Sequence, residues 1–193
     1  MAEKHKASVD FGPIRQHGWQ KSYGKKTLNY LKTIFEIKSM IDIGCGLGKQ
    51  VSKANKSKNI IAVGVDGDPS LKIYDGKNFI YHDYTVGELD IGEFDLGWSV
   101  EFLEHVYEKY ISNIFSTFNN CKIVFCTHAI PGQRGSHHVN CQTDGYWIKK
   151  FQQNNFAYDD VISKKIRDVE SCKWIRRTGL LFINNRFSDM YKK

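Results

Sequence analysis

The chain has 193 residues, 41% of them hydrophobic, and a formal net charge of +7. That length and composition suit one globular domain with a single sizeable core. No apolar run is long enough to span a bilayer and the first ten residues are polar and charged, so neither a membrane partner nor a signal peptide is expected. The five cysteines (Cys45, Cys121, Cys126, Cys141, Cys172) form no CxxC pair. They read as reduced thiols, and the expected compartment is the cytoplasm. The positive charge admits an anionic partner such as RNA. Yet lysine and arginine are spread along the chain, with modest clusters at 49–58, 164–167 and 173–177, and read mostly as solvated surface.

Residues 1–24 hold Gly12, Pro13, Gly18 and Gly24 around Trp19 and Tyr23, with no clear periodicity. They are expected to form an N-terminal arm or lid, and 25–193 a single domain. From Lys25 the pattern turns helical, with Leu28, Leu31, Ile34 and Phe35 on one face. Then comes M-I-D-I-G-C-G-L-G-K, residues 40–49, in which a short apolar run carrying Asp42 breaks into Gly44, Gly46 and Gly48. This reads as a buried strand ending in a tight glycine turn before a helix. Glycine accepts positive φ and lets a ligand approach the backbone, and the helix start offers free N–H groups and a positive dipole end. Such a turn suits the floor of a nucleotide-type cofactor site at the edge of a parallel sheet, although a purely structural turn has the same composition. The dinucleotide fingerprint wants a small residue where Lys49 stands, which disfavours a nicotinamide cofactor.

A polar helix is expected over 49–56, then a strand over 59–65 buried on both faces and closed by Asp66. An acid about 20 residues past the glycine turn stands where ribose hydroxyls are held in nucleotide-binding α/β folds. Asp68, in D-G-D-P, reads as a helix cap. A third strand is read over 79–83 and a fourth through Phe94, Leu96 and Trp98. From Val100 a helical face is expected through Leu103, Val106, Tyr107, Tyr110, Ile111 and Ile114. Glu101, Glu104 and His105 would then share one face of that helix, a set poor in ligand variety for a metal. Residues 121–127 read as a fifth strand. The loop after it gathers His128, Gln133, His137, His138, Asn140, Cys141 and Gln142. Loops beyond the carboxyl ends of strands are where α/β enzymes place substrate chemistry, and histidine can take a proton near neutrality. A zinc frame of His137, His138 and Cys141 has no CxxC partner, so no metal is expected. A helix over 145–156, a sixth strand over 156–162, a basic link over 164–177 and a last strand over 179–183 complete the chain.

The spacing G-x-G-x-G, preceded by Asp42, resembles motif I of the class I S-adenosylmethionine (SAM) methyltransferases. The junction S-V-E-x-L-E-H-V resembles the fourth-strand motif of their small-molecule group, the methyltransferase type 11/12-like enzymes. P-G-Q-x-G-x-x-H-V-N-x-Q resembles a subset of bacterial and viral members. The resemblance spans about residues 25–185. It implies an α/β fold: a seven-stranded, mostly parallel Rossmann-like sheet in the order 3-2-1-4-5-7-6, the last strand antiparallel, with helices on both faces. It also implies SAM as cofactor and S-adenosylhomocysteine as product. Asp42, Gly44, Cys45, Gly46 and Gly48 would then shape the methionyl end, Asp66 and Gly67 the ribose, and Asp83 and Tyr84 the adenine. Ser99 and Glu101 count with the cofactor residues. His105, His128, His137 and His138 are the candidate bases, with His137 or His138 favoured.

For the acceptor, W-S-V-E stands where DNA amino-methylating enzymes carry Asp/Asn-Pro-Pro-aromatic. No aspartate follows Asp95 at the place that ribose-methylating cap enzymes need. The preferred expectation is methyl transfer to an oxygen or nitrogen of a small molecule or saccharide-like metabolite. The alternatives are an RNA methyltransferase or a non-catalytic SAM-binding partner subunit.

Overall fold

The apolar run that ends in the glycine turn is an interior strand of one sheet. The structure, a computed structural model, describes residues 24–57, 59–68 and 78–191. The arm expected over 1–24 therefore lies, except for Gly24, outside the described residues. Seven strands are present among the described residues: β1 (Ser39–Ile43), β2 (Ile61–Asp66), β3 (Phe79–Tyr81), β4 (Phe94–Ser99), β5 (Cys121–Cys126), β6 (Phe156–Tyr158) and β7 (Leu180–Asn184). They pair in the order β3-β2-β1-β4-β5-β7-β6, with β7 antiparallel to both of its neighbours and every other pairing parallel. This is the expected order. The chain runs outward from β1 through β2 to β3, then returns to place β4 on the other side of β1. The carboxyl ends of β1 and β4 thus flank the point where strand order reverses, the place where open α/β sheets form a crevice.

The helices are α1 (Lys25–Ile34), α2 (Lys49–Lys56), α3 (Ile111–Phe118), α4 (Asp144–Gln153), α5 (Asp160–Val169) and α6 (Lys173–Thr178). Side chains alternate across a strand, and both faces of the central strands are apolar, so the sheet carries two cores. On one face Ile41, Ile43, Val124 and Phe182 meet Phe115 and Phe118 of α3 and Trp147 and Phe151 of α4. Phe151 stacks flat on Phe182, their ring centroids 3.8 Å apart. On the other face Met40, Leu96, Trp98, Phe125 and Leu181 meet Leu28 and Leu31 of α1, Val51 of α2, Ile166 of α5 and Ile175 of α6. No helix among the described residues is long and apolar enough to cross a membrane.

Four local expectations are corrected. Ile34 is 40% exposed, and Phe35, just past the helix, fills the core place in its stead. Ile61 is 72% exposed, so β2 is buried only from Ala62 onward. The sixth strand stops at Tyr158, because the side chain of Asp159 accepts the Ile162 N–H at 2.8 Å and caps α5. The basic link is therefore two helices, α5 and α6. Finally, no continuous helix runs from Val100. Glu101 sits at φ +59°, and two 3-10 turns (Leu103–His105, Glu108–Tyr110) precede α3. The reason is tertiary. The Glu104 carbonyl, which a helix would bond to residue 108, instead accepts the N–H groups of Val139 and Asn140 at 2.9 and 3.0 Å.

Candidate cofactor and acceptor site

The glycine turn after β1 is built as its composition requires. Gly44, Gly46 and Gly48 have φ of +76°, +52° and +64°, values that cost other residues strain. The N–H groups of Gly44 and Cys45 both donate to the Val65 carbonyl, which ties the turn to β2. The Gly46 N–H donates to Asp66 Oδ2 at 2.8 Å, and Asp66 Oδ1 accepts the Asp68 N–H at 2.9 Å. Among the described residues, a Cβ on Gly46 or Gly48 would meet nothing within 4 Å. Gly44 instead lies under the Phe102 ring, where a Cβ would come within 2.2 Å. Cys45 turns its side chain down onto β2, close enough that a Cβ on Gly64 would lie 2.6 Å from its sulfur.

Two carboxylates mark this end of the sheet. Asp42, 4% exposed, is pushed up to about 8 by burial first and by the charge of Asp66 second. Asp66 is also raised by burial, opposed by the N–H groups of Asp68 and Gly46. A cationic ligand would favour the charged form of both groups, whereas a pyrophosphate would raise both further and meet the Asp66 carboxylate. The residues present therefore fit SAM, with its sulfonium and ammonium charges, better than a dinucleotide.

Gly67 is packed against the end of β3: a Cβ there would lie 3.0 Å from the His82 carbonyl oxygen and 3.1 Å from Asp83 Cα. Asp83 thus stands beside the end of β2, which Asp66 closes. Asp83 Oδ1 accepts the N–H and hydroxyl of Thr85 at 2.8 and 2.7 Å. Tyr84 was expected beside the adenine, and its placement corrects this. The ring is in the core at 2% exposure, with its hydroxyl hydrogen-bonded to that of Thr117 at 2.8 Å. Ser99 is buried and donates its hydroxyl to the Ile43 carbonyl, bracing β4 to β1. The Glu101 N–H donates to Thr127 Oγ1 at 2.9 Å, and that hydroxyl donates back to Glu101 Oε1 at 3.3 Å. Burial pushes the Glu101 carboxyl up to about 7, against the pull of Thr127, Lys173 and Arg177.

The four histidines separate into two groups. His128 is a brace. Its side chain has no exposure, and Nε2 faces Asp144 Oδ1 at 2.9 Å. Asp144 Oδ2 accepts from Arg167 at 2.8 Å, Arg167 Nε donates to the Gly179 carbonyl, and the Thr178 hydroxyl donates to the His128 carbonyl. The His128 hydrogen bond, then Arg167, hold Asp144 down at about 2. This network ties the end of β5 to α4, α5 and α6 and buries the one histidine nearest the strand.

His105, His137 and His138 lie together at the carboxyl edge. His105 Nδ1 lies 3.0 Å from the His137 carbonyl oxygen, and His138 Nδ1 lies 3.1 Å from that of Gln133. A carbonyl only accepts, so both Nδ1 atoms donate, and the tautomer this selects has its lone pair on Nε2. The His105 and His138 rings meet edge to face with centroids 5.1 Å apart, and His137 meets Tyr107 at 5.8 Å. Glu104 stands beside them. It is fully buried, neither carboxylate oxygen has a hydrogen-bond partner among the described residues, and burial and the Glu101 charge raise its pKa well above the usual range. Glu104, His105 and His138 each offer one ligand atom within 4.8 Å of the others. Cys141, weighed above with His137 and His138, is not in this set. Its sulfur faces the Gln133 carbonyl at 3.7 Å. The expected helix face of Glu101, Glu104 and His105 does not exist. Sequence reasoning missed the meeting of Glu104 with His138, as well as Asp144 and Gly135, because no local spacing encodes a contact between two loops.

No protein-family profile matches the chain. No curated protein matches its sequence. Solved structures do match its fold. A methyltransferase of Haloferax volcanii, in complex with the Trm112 methyltransferase activator, is 13% identical with a TM-score of 0.58, over 82% of this chain and 88% of the other. The plantazolicin methyltransferase BpumL, in complex with S-adenosylhomocysteine, is 14% identical at a TM-score of 0.54, over 83% and 82%. The methyltransferase domain of a bacterial Hen1 is 16% identical at a TM-score of 0.56, over 83% and 95%. The chain has the fold of the class I SAM-dependent methyltransferases.

Proposed function

We propose that this protein is a SAM-dependent methyltransferase acting on an oxygen or nitrogen of a small molecule or saccharide-like metabolite. The observation that carries the reading is the glycine turn clamped by Asp66, with Asp42 buried beside it, at the edge where the histidine loop also ends. SAM supplies a methyl group activated by its positive sulfonium. Gly46 and Gly48 leave room for the methionyl end, the Asp66 carboxylate holds the ribose hydroxyls, and Asp83 lies where the adenine falls. An acceptor oxygen or nitrogen would have to be held in line with that methyl, and the glycine turn and the histidine loop would position the two. The acceptor's proton leaves to a base. His137 and His138 are the favoured bases, with His105 beside them. A double His137→Ala, His138→Ala variant is expected to lose turnover, and full turnover would remove this assignment.

Calorimetric titration with SAM, S-adenosylhomocysteine and NAD, beside Asp66→Ala, tests the reading. Binding of the first two, lost in the variant and absent for NAD, supports it. Binding of NAD alone would sink it.

One observation favours a second reading. Arg167, Lys173, Arg176 and Arg177, with Asp168 the one acid among them, line a concave patch, and the charges of Lys173 and Arg177 reach Glu101. A polyanion such as RNA fits that patch, and the bacterial Hen1 domain shares the fold. RNA affinity that falls steeply with salt would select this acceptor class.

A further inference from the structure

We propose that Glu104, His105 and His138 bind one divalent metal ion of the borderline class, such as Zn2+, Fe2+ or Co2+, at the carboxyl edge of the sheet. Three features carry the assignment independently. The ligand atoms lie within 4.8 Å of one another. In a tetrahedral site with bonds of about 2.1 Å, neighbouring donors lie about 3.4 Å apart, so small side-chain shifts close the set around an ion. Glu104 is fully buried, and among the described residues neither of its oxygens has a hydrogen-bond partner. A buried carboxylate without hydrogen bonds is costly, and a buried neutral acid would also leave its O–H and C=O unmet. A cation held between Glu104 and the two imidazoles satisfies it.

The third feature is the preparation of the histidines. The carbonyls of His137 and Gln133 take the Nδ1 protons of His105 and His138. That arrangement fixes the tautomer and orients a metal-binding imidazole. The two ligand-bearing loops are also tied to each other, since the Glu104 carbonyl accepts two N–H groups from residues 139 and 140. Gly135 lies against the His138 ring, where a Cβ would come 2.1 Å from Nε2. Imidazole with carboxylate selects borderline transition metals over Mg2+ or Ca2+. Three protein ligands leave a position open, as in catalytic sites. The consequence for chemistry rests on the methyltransferase reading: an acceptor oxygen in the open position would lose its proton more easily, and His137, outside the ligand set, would be the base that takes it. Metal binding itself does not depend on that reading.

The test uses the full chain without a histidine tag, stripped with EDTA and titrated by calorimetry with Zn2+ or Co2+. Visible d–d absorption of bound Co2+ serves as a second readout. One ion per chain is expected. Glu104→Gln and His138→Ala should each weaken it at least tenfold while melting cooperatively, and Cys141→Ser should bind as the wild type does. SAM titration of the same variants keeps the two readings apart. Lost SAM binding in a folded, metal-loaded wild type would sink the methyltransferase reading and leave the metal site standing. Failure of the folded wild type to bind either ion would overturn the proposal. So would unchanged affinity in Glu104→Gln, or affinity lost in Cys141→Ser.

Discussion

Asp66 Oδ2 accepts the backbone N–H of Gly46 at 2.8 Å, across 20 positions of the chain. One carboxylate therefore shapes the glycine turn and also faces the place where ribose hydroxyls would lie. Removing it should harm both. Asp66→Ala is expected to weaken SAM binding by about 10- to 100-fold, the worth of a hydrogen bond to a charged group. Asp66→Asn, whose amide oxygen can still accept from Gly46, should melt like the wild type and still bind SAM more weakly. Calorimetry and thermal melts of the two variants separate the roles.

Asp42 predicts a stability that falls with rising pH. Its carboxyl is pushed up to about 8 in the folded chain, by burial first and Asp66 second. The unfolded chain loses that proton near pH 4. Between these values the folded state holds a proton the unfolded state does not, so the stabilisation is full below about pH 4 and is lost as pH rises through 8. Asp42→Asn removes this slope. Melts from about pH 5 to 9 should show the variant gaining on the wild type toward the alkaline end, by roughly a few kcal/mol. The same variant should bind SAM less tightly.

The acid side belongs to Asp144. His128 and Arg167 hold its carboxyl at about 2, so its contribution is present above the unfolded value near 4 and is lost as pH falls through 2. Asp144→Asn leaves the buried His128 poorly matched. A loss of about 1–2 kcal/mol is expected, after allowance for the partial exposure of Asp144. The melting temperature should drop by about 2–6 °C, with SAM affinity kept. Loss of SAM binding without loss of stability would contradict the bracing role of this network.

Gly135→Ala separates the loop's chemistry from its folding. The added Cβ would fall 2.1 Å from His138 Nε2, and Gly135 itself is exposed, so the imidazole moves and the core does not. Melting temperature should stay within about 2 °C of the wild type, while Co2+ affinity and turnover fall together. Unchanged Co2+ affinity would show that His138 keeps its place.

Most of the scaffold was legible in the order of residues alone. The runs ending at Ile43, Asp66, Ser99 and Cys126 are apolar because their strands are buried on two faces, and that burial is written in composition. Helix 49–56 was legible to the residue, since a polar stretch with Val51 and Ala54 on one face follows a glycine turn. Gly44, Gly46 and Gly48 announced their positive φ because few other residues tolerate it. Where the reading failed, a contact distant in sequence prevailed. Residues 100–110 carry a helical pattern, yet the Glu104 carbonyl goes to the loop after β5. Tyr84 and His128 look available in the sequence, and Thr117 and Asp144 take their polar atoms in the fold. The tertiary structure alone brought Glu104 to His138, because packing β4 beside β5 sets their two loops side by side. Local periodicity describes a few residues of backbone at a time and carries no record of which loops will meet.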